Sequence, residues 1–279
     1  MKDIELLKMH QQFGIDEIIG EEPVNRLQQS ITKPQINAPQ NVINENYIGI
    51  SSNQAIARLA AKQFTNNIMS ESQPLTSIKQ TIEQVRKQVD KIDNLTDLEK
   101  AVRAFEGCNI KKMANNTVFC DGDPKSPIMI IGEAPGNNED LQGIPFCGDS
   151  GKLLNEMFAS IGLKRENLYI TNTLFWRPPG NRKPTNDEMA MCKPFVEKHI
   201  ALINPKLIIL TGSTAMTGVL GINDAISRVR GRFINYNNCY LDHEIPTLTI
   251  FHPSYLMRQP GKKRLAWQDL LTIKDFLKL

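Results

Sequence analysis

The chain has 279 residues, 33 Lys+Arg against 30 Asp+Glu, a formal charge of +3 and 41 % hydrophobic residues. That length suits one well-buried domain with an appendage, or two small domains, and so balanced a charge leaves any polyanionic partner to local basic clusters instead of a global field. No run of 18 apolar residues occurs and Met1–Glu5 lacks a signal-peptide pattern, so a soluble, cytoplasmic protein is expected; five cysteines, an odd number without a Cys-x-x-Cys pair, argue against a disulfide framework.

Residues 1–74 contain no Cys or Trp and are rich in Asn, Gln and Ser. They carry no sustained hydrophobic period and read as a largely disordered polar arm, with one short helix over 54–64. Ile78, Ile82, Val85, Val89 and Ile92 then fall at 3-4 spacing, the single apolar stripe of an amphipathic helix. Residues 75–97 are therefore read as a helical linker packed against the main domain. Thr96-x-x-Glu99 resembles a capping box for a second helix through Leu98, Val102 and Phe105.

From Ile128 onward strands alternate with helices. Strands are expected over 128–131, 168–174, 207–210 and 247–251, and helices over 151–161, 186–202, 215–220 and 265–277. Thr185-x-x-Glu188 caps the second of these helices, and 231–240 is read as an antiparallel excursion turning at Asn237-Asn238. The alternation predicts an α/β fold with parallel pairing and helices on both faces, the ligand lying at the carboxyl ends of the strands.

Three strand ends carry chemistry. The apolar run Ile128–Ile131 ends in Gly132-Glu133, and a polar segment follows that is closed by Phe146 between Pro145 and Gly148. The second strand ends at Asn172, whose amide offers a donor and an acceptor in a fixed fork suited to the edge of a base. The fourth ends at His252-Pro253-Ser254. Arg177, Arg182 and Lys183 lie in the loop after Asn172, and Arg258, Lys262, Lys263 and Arg264 follow His252, as phosphate-holding clusters should. Between them Leu256 and Met257 put apolar groups where insertion into a duplex is plausible.

Gly132-Glu133-Ala134-Pro135-Gly136, with Glu139-Asp140 and Gly143-x-Pro145-Phe146-x-Gly148 behind it, resembles the first motif of the family 4 uracil-DNA glycosylases. Asn172 before Arg177-Pro178-Pro179-Gly180-Asn181-Arg182 is similar to that family's second block. His252-Pro253-Ser254-Tyr255-Leu256-Met257-Arg258, with Lys263-Arg264 and Trp267-x-Asp269-Leu270, is similar to its third. The resemblance spans 98–279, the expected glycosylase domain. It implies a three-layer α/β/α sandwich with a central four-stranded parallel sheet, and a monomer that hydrolyses the N-glycosidic bond of uracil in single- or double-stranded DNA, leaving an abasic site. By the same resemblance Phe146 stacks on uracil, Asn172 reads its Watson–Crick edge, His252 donates to O2 as charge develops, and Glu133 orients water and stabilises the cationic sugar. Arg177, Arg182, Lys183, Ser254, Leu256, Met257, Arg258, Lys262, Lys263 and Arg264 are the implied DNA contacts, and the N-terminal arm is read as a tether for a partner or for non-specific DNA.

The chain departs from the family at one place. The family's four-iron cluster takes four cysteines, yet here Phe105 and Cys108 stand at the first pair, Trp176 at the third place and Cys192 at the fourth. Two thiolates do not make a four-cysteine site, so the 4Fe-4S cluster is expected to be lost, with no metal and no other cofactor. Cys120 and Cys147 are the candidates to replace the missing thiols, but Cys147 lies beside the pocket and Cys120 in a turn. Two further readings stay open: a relative acting on other deaminated bases, and a DNA-binding protein that has kept the fold without the chemistry.

Overall fold

A computed structural model describes residues 75–279. The arm expected over 1–74, with the short helix expected over 54–64, lies outside the described residues.

The first two helices form from their apolar stripes. In α1 (Leu75–Val89) the residues Ile78, Val85 and Val89 are buried against α5 (Asn186–Ile203), and Arg86 pairs with Glu197 at 3.1 Å across the same contact. Each such aliphatic side chain contributes about 1.5 to 3 kcal/mol when fully buried. α2 (Leu95–Ala104) starts two residues earlier than the Thr96 box implies. Asn94 is its N-cap, its side-chain oxygen accepting from the Asp97 N–H, because Asn at that position satisfies a first-turn donor directly. The Thr185 box is realised at α5: the Glu188 N–H donates to Thr185 Oγ1 at 3.2 Å, and the Thr185 N–H to the Glu188 carboxylate at 2.8 Å.

The sheet has six strands, not four. In spatial order they are β1 (Asp121–Gly122), β3 (Tyr169–Asn172), β2 (Ile128–Gly132), β4 (Leu207–Thr211), β6 (Ile245–Ile250) and β5 (Phe233–Tyr236). The four expected strands are the central parallel set, and β1 and β5 add antiparallel edges. β5 is the excursion expected over 231–240. The two-residue β1 carries no hydrophobic period of its own and exists because Asp121 and Gly122 pair with Ile170 and Tyr169.

Both faces of the parallel set are covered, which is why its strands are continuously apolar instead of alternating. Met129, Ile131, Ile208 and Leu210 face one core, with α1, α2, α5 and α6 (Ser213–Leu220). Ile128, Ile130, Leu207 and Ile209 face the other, with α4 (Asp149–Ala159), α8 (Pro253–Arg258) and α9 (Lys263–Leu277). The remaining helices are short: α3 (Asn137–Gln142) inside the expected loop after Glu133, and α7 (Ile226–Val229) before β5. Among the described residues no helix is long and apolar enough to cross a membrane.

The strand order fixes where a ligand can sit. The chain leaves β2 toward β3 on one side, and β4 and β6 lie on the other, so a crevice opens at the carboxyl ends where the direction reverses.

Candidate active site

That crevice is a cavity of about 900 Å³, with Glu133, Phe146, Asn172 and His252 in its wall. Four residues distant in sequence meet there because each follows or ends a parallel strand, or folds back over one.

Register places Asn172 directly beside Gly132 across the β2–β3 pair. Gly132 has no alternative at this point. A Cβ there would stand 2.3 Å from Asn172 Oδ1 and 2.6 Å from the Phe146 ring, so the missing side chain is what lets the amide and the ring approach each other. Asn172 is 2 % exposed, and no protein group among the described residues hydrogen-bonds its side-chain amide, which leaves the donor–acceptor fork turned to the cavity. Phe146 is buried, and its ring stands 5.6 Å from the His252 ring with 29° between planes. A flat slot results, with an aromatic face, an amide edge and an imidazole around it.

His252 is the N-cap of α8. Its Nδ1 accepts from the Ser254 N–H at 3.2 Å and lies 2.8 Å from Ser254 Oγ. An Nδ1 that accepts a backbone N–H carries no proton, so in the neutral ring the proton is on Nε2. Burial, and then the Arg258 guanidinium nearby, push the imidazole down to about 4, against a smaller opposing pull from Glu139. At neutral pH the ring is an uncharged donor in a partly dry site.

The loop after Glu133 is braced by buried acids. Glu139 Oε2 accepts from the Gly136 N–H and Oε1 from the Gly148 N–H, tying the two ends of the loop together. Asp140 accepts from the N–H groups of Asn115 and Asn116 and from the Asn115 side chain. Behind the cavity Arg230 donates to both Asp269 oxygens and to the Leu265 carbonyl, and lies over the Phe251 ring at 5.3 Å. Burial pushes the Asp269 carboxyl up to about 6 even against that partner.

The basic residues divide. Arg182, Lys183, Arg258 and Lys262 line the cavity, as does Ser254. Arg182 is already matched by Glu188 at 2.6 and 2.9 Å, whereas Lys183, Arg258 and Lys262 are exposed. Arg177 is turned away as a loop brace, donating to Asn181 at 2.7 Å and to Asn137 at 2.8 Å. Lys263 and Arg264 open α9 beside the cavity mouth, outside its wall. Leu256 is a correction: it is 1 % exposed, packed in the core beneath α8, and has no reach to a duplex. Met257, at 47 % exposure, is the apolar group that this turn presents.

Two parts of the wall were not read from the sequence. Gly212-Ser213 follow β4, and Ser213 lines the cavity. The signal was present, since the apolar strand Leu207–Thr211 runs directly into Gly212, much as the apolar run Ile128–Ile131 runs into Gly132. Asp224, Ala225, Ile226 and Ser227 come from the connection between α6 and β5, which has no period or motif to mark it.

The place where the family's four-iron cluster would sit holds two thiols and two aromatic rings. Cys108 and Cys192 are buried neighbours, and that contact together with burial holds the Cys192 thiol well above its ordinary value. The other two positions are aromatic. The rings of Phe105 and Trp176 lie 6.2 Å apart, Phe105 is 5.3 Å from Phe195, and Trp176 Nε1 donates to Thr117 Oγ1 at 3.0 Å. Cys120 lies beside Tyr169 and Cys147 near Glu139, with both thiols pushed up by burial. Among the described residues no three His, Cys, Asp or Glu side chains are grouped to hold a metal, and all five cysteines are among those residues. These residues do not fit a four-thiolate cluster.

Residues 119–271 match the family model described as the Uracil DNA glycosylase superfamily. The chain is 36 % identical over 188 residues to a type-4 uracil-DNA glycosylase of Archaeoglobus fulgidus, covering 66 % of this chain and 94 % of that protein. It is 35 % identical over 189 residues to one of Sulfurisphaera tokodaii (66 % and 85 % covered), and 36 % identical over 184 residues to one of Thermotoga maritima (65 % and 93 %).

Proposed function

This chain belongs to the uracil-DNA glycosylase superfamily as a type-4-like member without the clustered cysteine motif, a hydrolase of N-glycosyl bonds, and from that premise we propose that it excises uracil from DNA by simple hydrolysis. The observation that carries the reading is the slot between Phe146, Asn172 and His252, with the unmatched Asn172 amide and a neutral imidazole on its rim.

Uracil fits this slot chemically. Its face lies on the Phe146 ring, and its N3–H and O4 meet the oxygen and nitrogen of the Asn172 amide. As the glycosidic bond breaks, the electron pair goes to the base and negative charge gathers on O2, where His252 Nε2–H donates. An uncharged donor aimed at developing charge in a partly dry site is the arrangement that lowers such a barrier. Glu133, at the end of β2 in the cavity wall, faces the opposite charge: it orients water and stabilises the cationic sugar. The extruded nucleotide is held by the exposed Lys183, Arg258 and Lys262, which meet phosphates, and Met257 enters the gap left in the stack. Residues 1–74 serve as a tether outside this chemistry.

The test is incubation with single- and double-stranded oligonucleotides bearing uracil, hypoxanthine or xanthine. Free uracil and an abasic site that stays unnicked until alkali is added are the expected products. A strand nicked by the purified protein and trapped by borohydride contradicts simple hydrolysis. Release of hypoxanthine in preference to uracil moves the substrate to another deaminated base.

A further inference from the structure

Phe146 stands in a backbone conformation that its residue type does not choose. Its φ is +51°, in the left-handed region that a bulky side chain seldom enters, and it is buried at the same time. Something must hold it there. Its carbonyl is packed against α4, where a Cβ on Gly151 would come within 1.8 Å of the Phe146 oxygen. On the other side it meets Arg165, which lies between α4 and β3 and belongs to none of the three sequence blocks.

Arg165 uses its whole guanidinium. Nη1 donates to the Phe146 carbonyl at 3.0 Å and to Asn155 Oδ1 at 3.2 Å. Nη2 donates to the Pro145 carbonyl at 2.7 Å, and Nε to Asp121 Oδ2 at 2.7 Å, with Nη2 the same distance from that oxygen. A planar fork reaches two successive carbonyls and a carboxylate at once, which a lysine ammonium cannot do. Asp121 is in β1, so the short edge strand missed by periodicity has a use: pairing with Ile170 keeps the carboxylate beside Arg165.

We propose that Arg165 is a positioning residue, holding the Pro145-Phe146 backbone so that the Phe146 ring lies flat against the base slot, with Asp121 fixing Arg165 in turn. This rests on the reading of Phe146 as the ring that stacks on the excised base. Neither Arg165 nor Asp121 lines the cavity, so their effect reaches the base only through Phe146.

Three variants of the full chain test it: Arg165→Gln, Arg165→Lys and Asp121→Asn. In Arg165→Gln the single-turnover release of uracil is expected to fall roughly 10- to 100-fold, the order lost when a reacting group is misplaced by about an ångström. Inhibition by free uracil should weaken while the KM for the oligonucleotide holds, because phosphate contacts lie elsewhere. Arg165→Lys restores the charge beside Asp121 but not the fork, and should stay near Arg165→Gln; Asp121→Asn should fall between them and the parent. Amide hydrogen exchange should quicken over 144–148 in Arg165→Gln and stay unchanged in β2 and β4. Full rescue by Lys, or unchanged excision and exchange in Arg165→Gln, overturns the proposal. Should the parent itself release no uracil, the functional reading fails, and the exchange measurement still decides what Arg165 does. If Arg165→Gln does not fold, the same two readouts on Asp121→Asn decide, unchanged excision and exchange again overturning it.

Discussion

If His252 works as an uncharged donor, acid should leave excision intact well below the point where an ordinary histidine has charged. The imidazole lies at about 4 instead of 6.5, burial being the main cause. At pH 5.5 an ordinary histidine is about 9 % neutral, while one at about 4 is about 97 % neutral, so the two cases differ roughly tenfold in active fraction. The assay is single-turnover release of uracil from a labelled oligonucleotide between pH 8 and 5, with circular dichroism at each pH to show that the fold persists. The rate should be flat down to about pH 5.5. His252→Ala should lower it by about 10²- to 10³-fold at every pH, as for loss of one oxyanion donor. The same ring makes stability depend on pH. Because the folded chain protonates His252 less readily than the unfolded chain, the stabilisation is complete above 6.5 and is lost as pH falls toward 4, roughly 3 kcal/mol at most. His199, buried and pushed down to about 3, acts in the same direction. A rate that drops tenfold between pH 7 and 5.5 in a protein that is still folded would refute this account of the donor.

Four further outcomes are expected. Trp176→Ala, which removes a 1 % exposed ring and leaves Thr117 without its partner, should destabilise the protein by about 3 to 5 kcal/mol in denaturant titration, and Phe105→Ala, which is only half-buried, should cost less. Anaerobic purification followed by iron and acid-labile sulfide analysis should find neither, and replacing Cys108 and Cys192 together by Ala should leave excision unchanged; about four irons per chain, with absorption near 400 nm, would overturn this. Lys262→Ala should weaken binding to any DNA sequence and reduce the salt slope of the binding constant by about one, whereas Arg177→Ala, a brace with partners of its own, should leave the slope alone. A chain beginning at Leu75 should excise uracil at the parental rate; loss of activity would make residues 1–74 part of the working protein.

The parallel core and most of the site were legible because they are written locally. Four apolar runs of strand length, each ending in Gly, Asn or His and each followed by a helical period, dictate a sheet buried on both faces, and such a sheet gathers its strand ends along one edge. That brings Glu133, Asn172 and His252 to one rim, with Phe146 in the loop that follows Glu133. The same local code announced the Thr185 cap, and the substitution of Phe105 and Trp176 for thiols announced a site that no longer suits a cluster. Tertiary structure decided whatever depends on partners far away in the chain. β1 has no period because pairing with β3 makes it, and the wall from Asp224 to Ser227 has no motif because only the turn of the chain between α6 and β5 brings it to the cavity. Arg177 and Leu256 looked like DNA contacts from their neighbours in sequence. One is taken up by Asn137 and Asn181 and the other by the core, since a helical turn as short as α8 sends adjacent side chains to opposite environments. The neutrality of His252 is likewise a property of burial, of Arg258 and of the Ser254 N–H, and the left-handed Phe146 is a property of Arg165 and Gly151. Residue types and their periods set which groups are available; desolvation and long-range hydrogen bonds, which exist only after folding, set what state those groups are in.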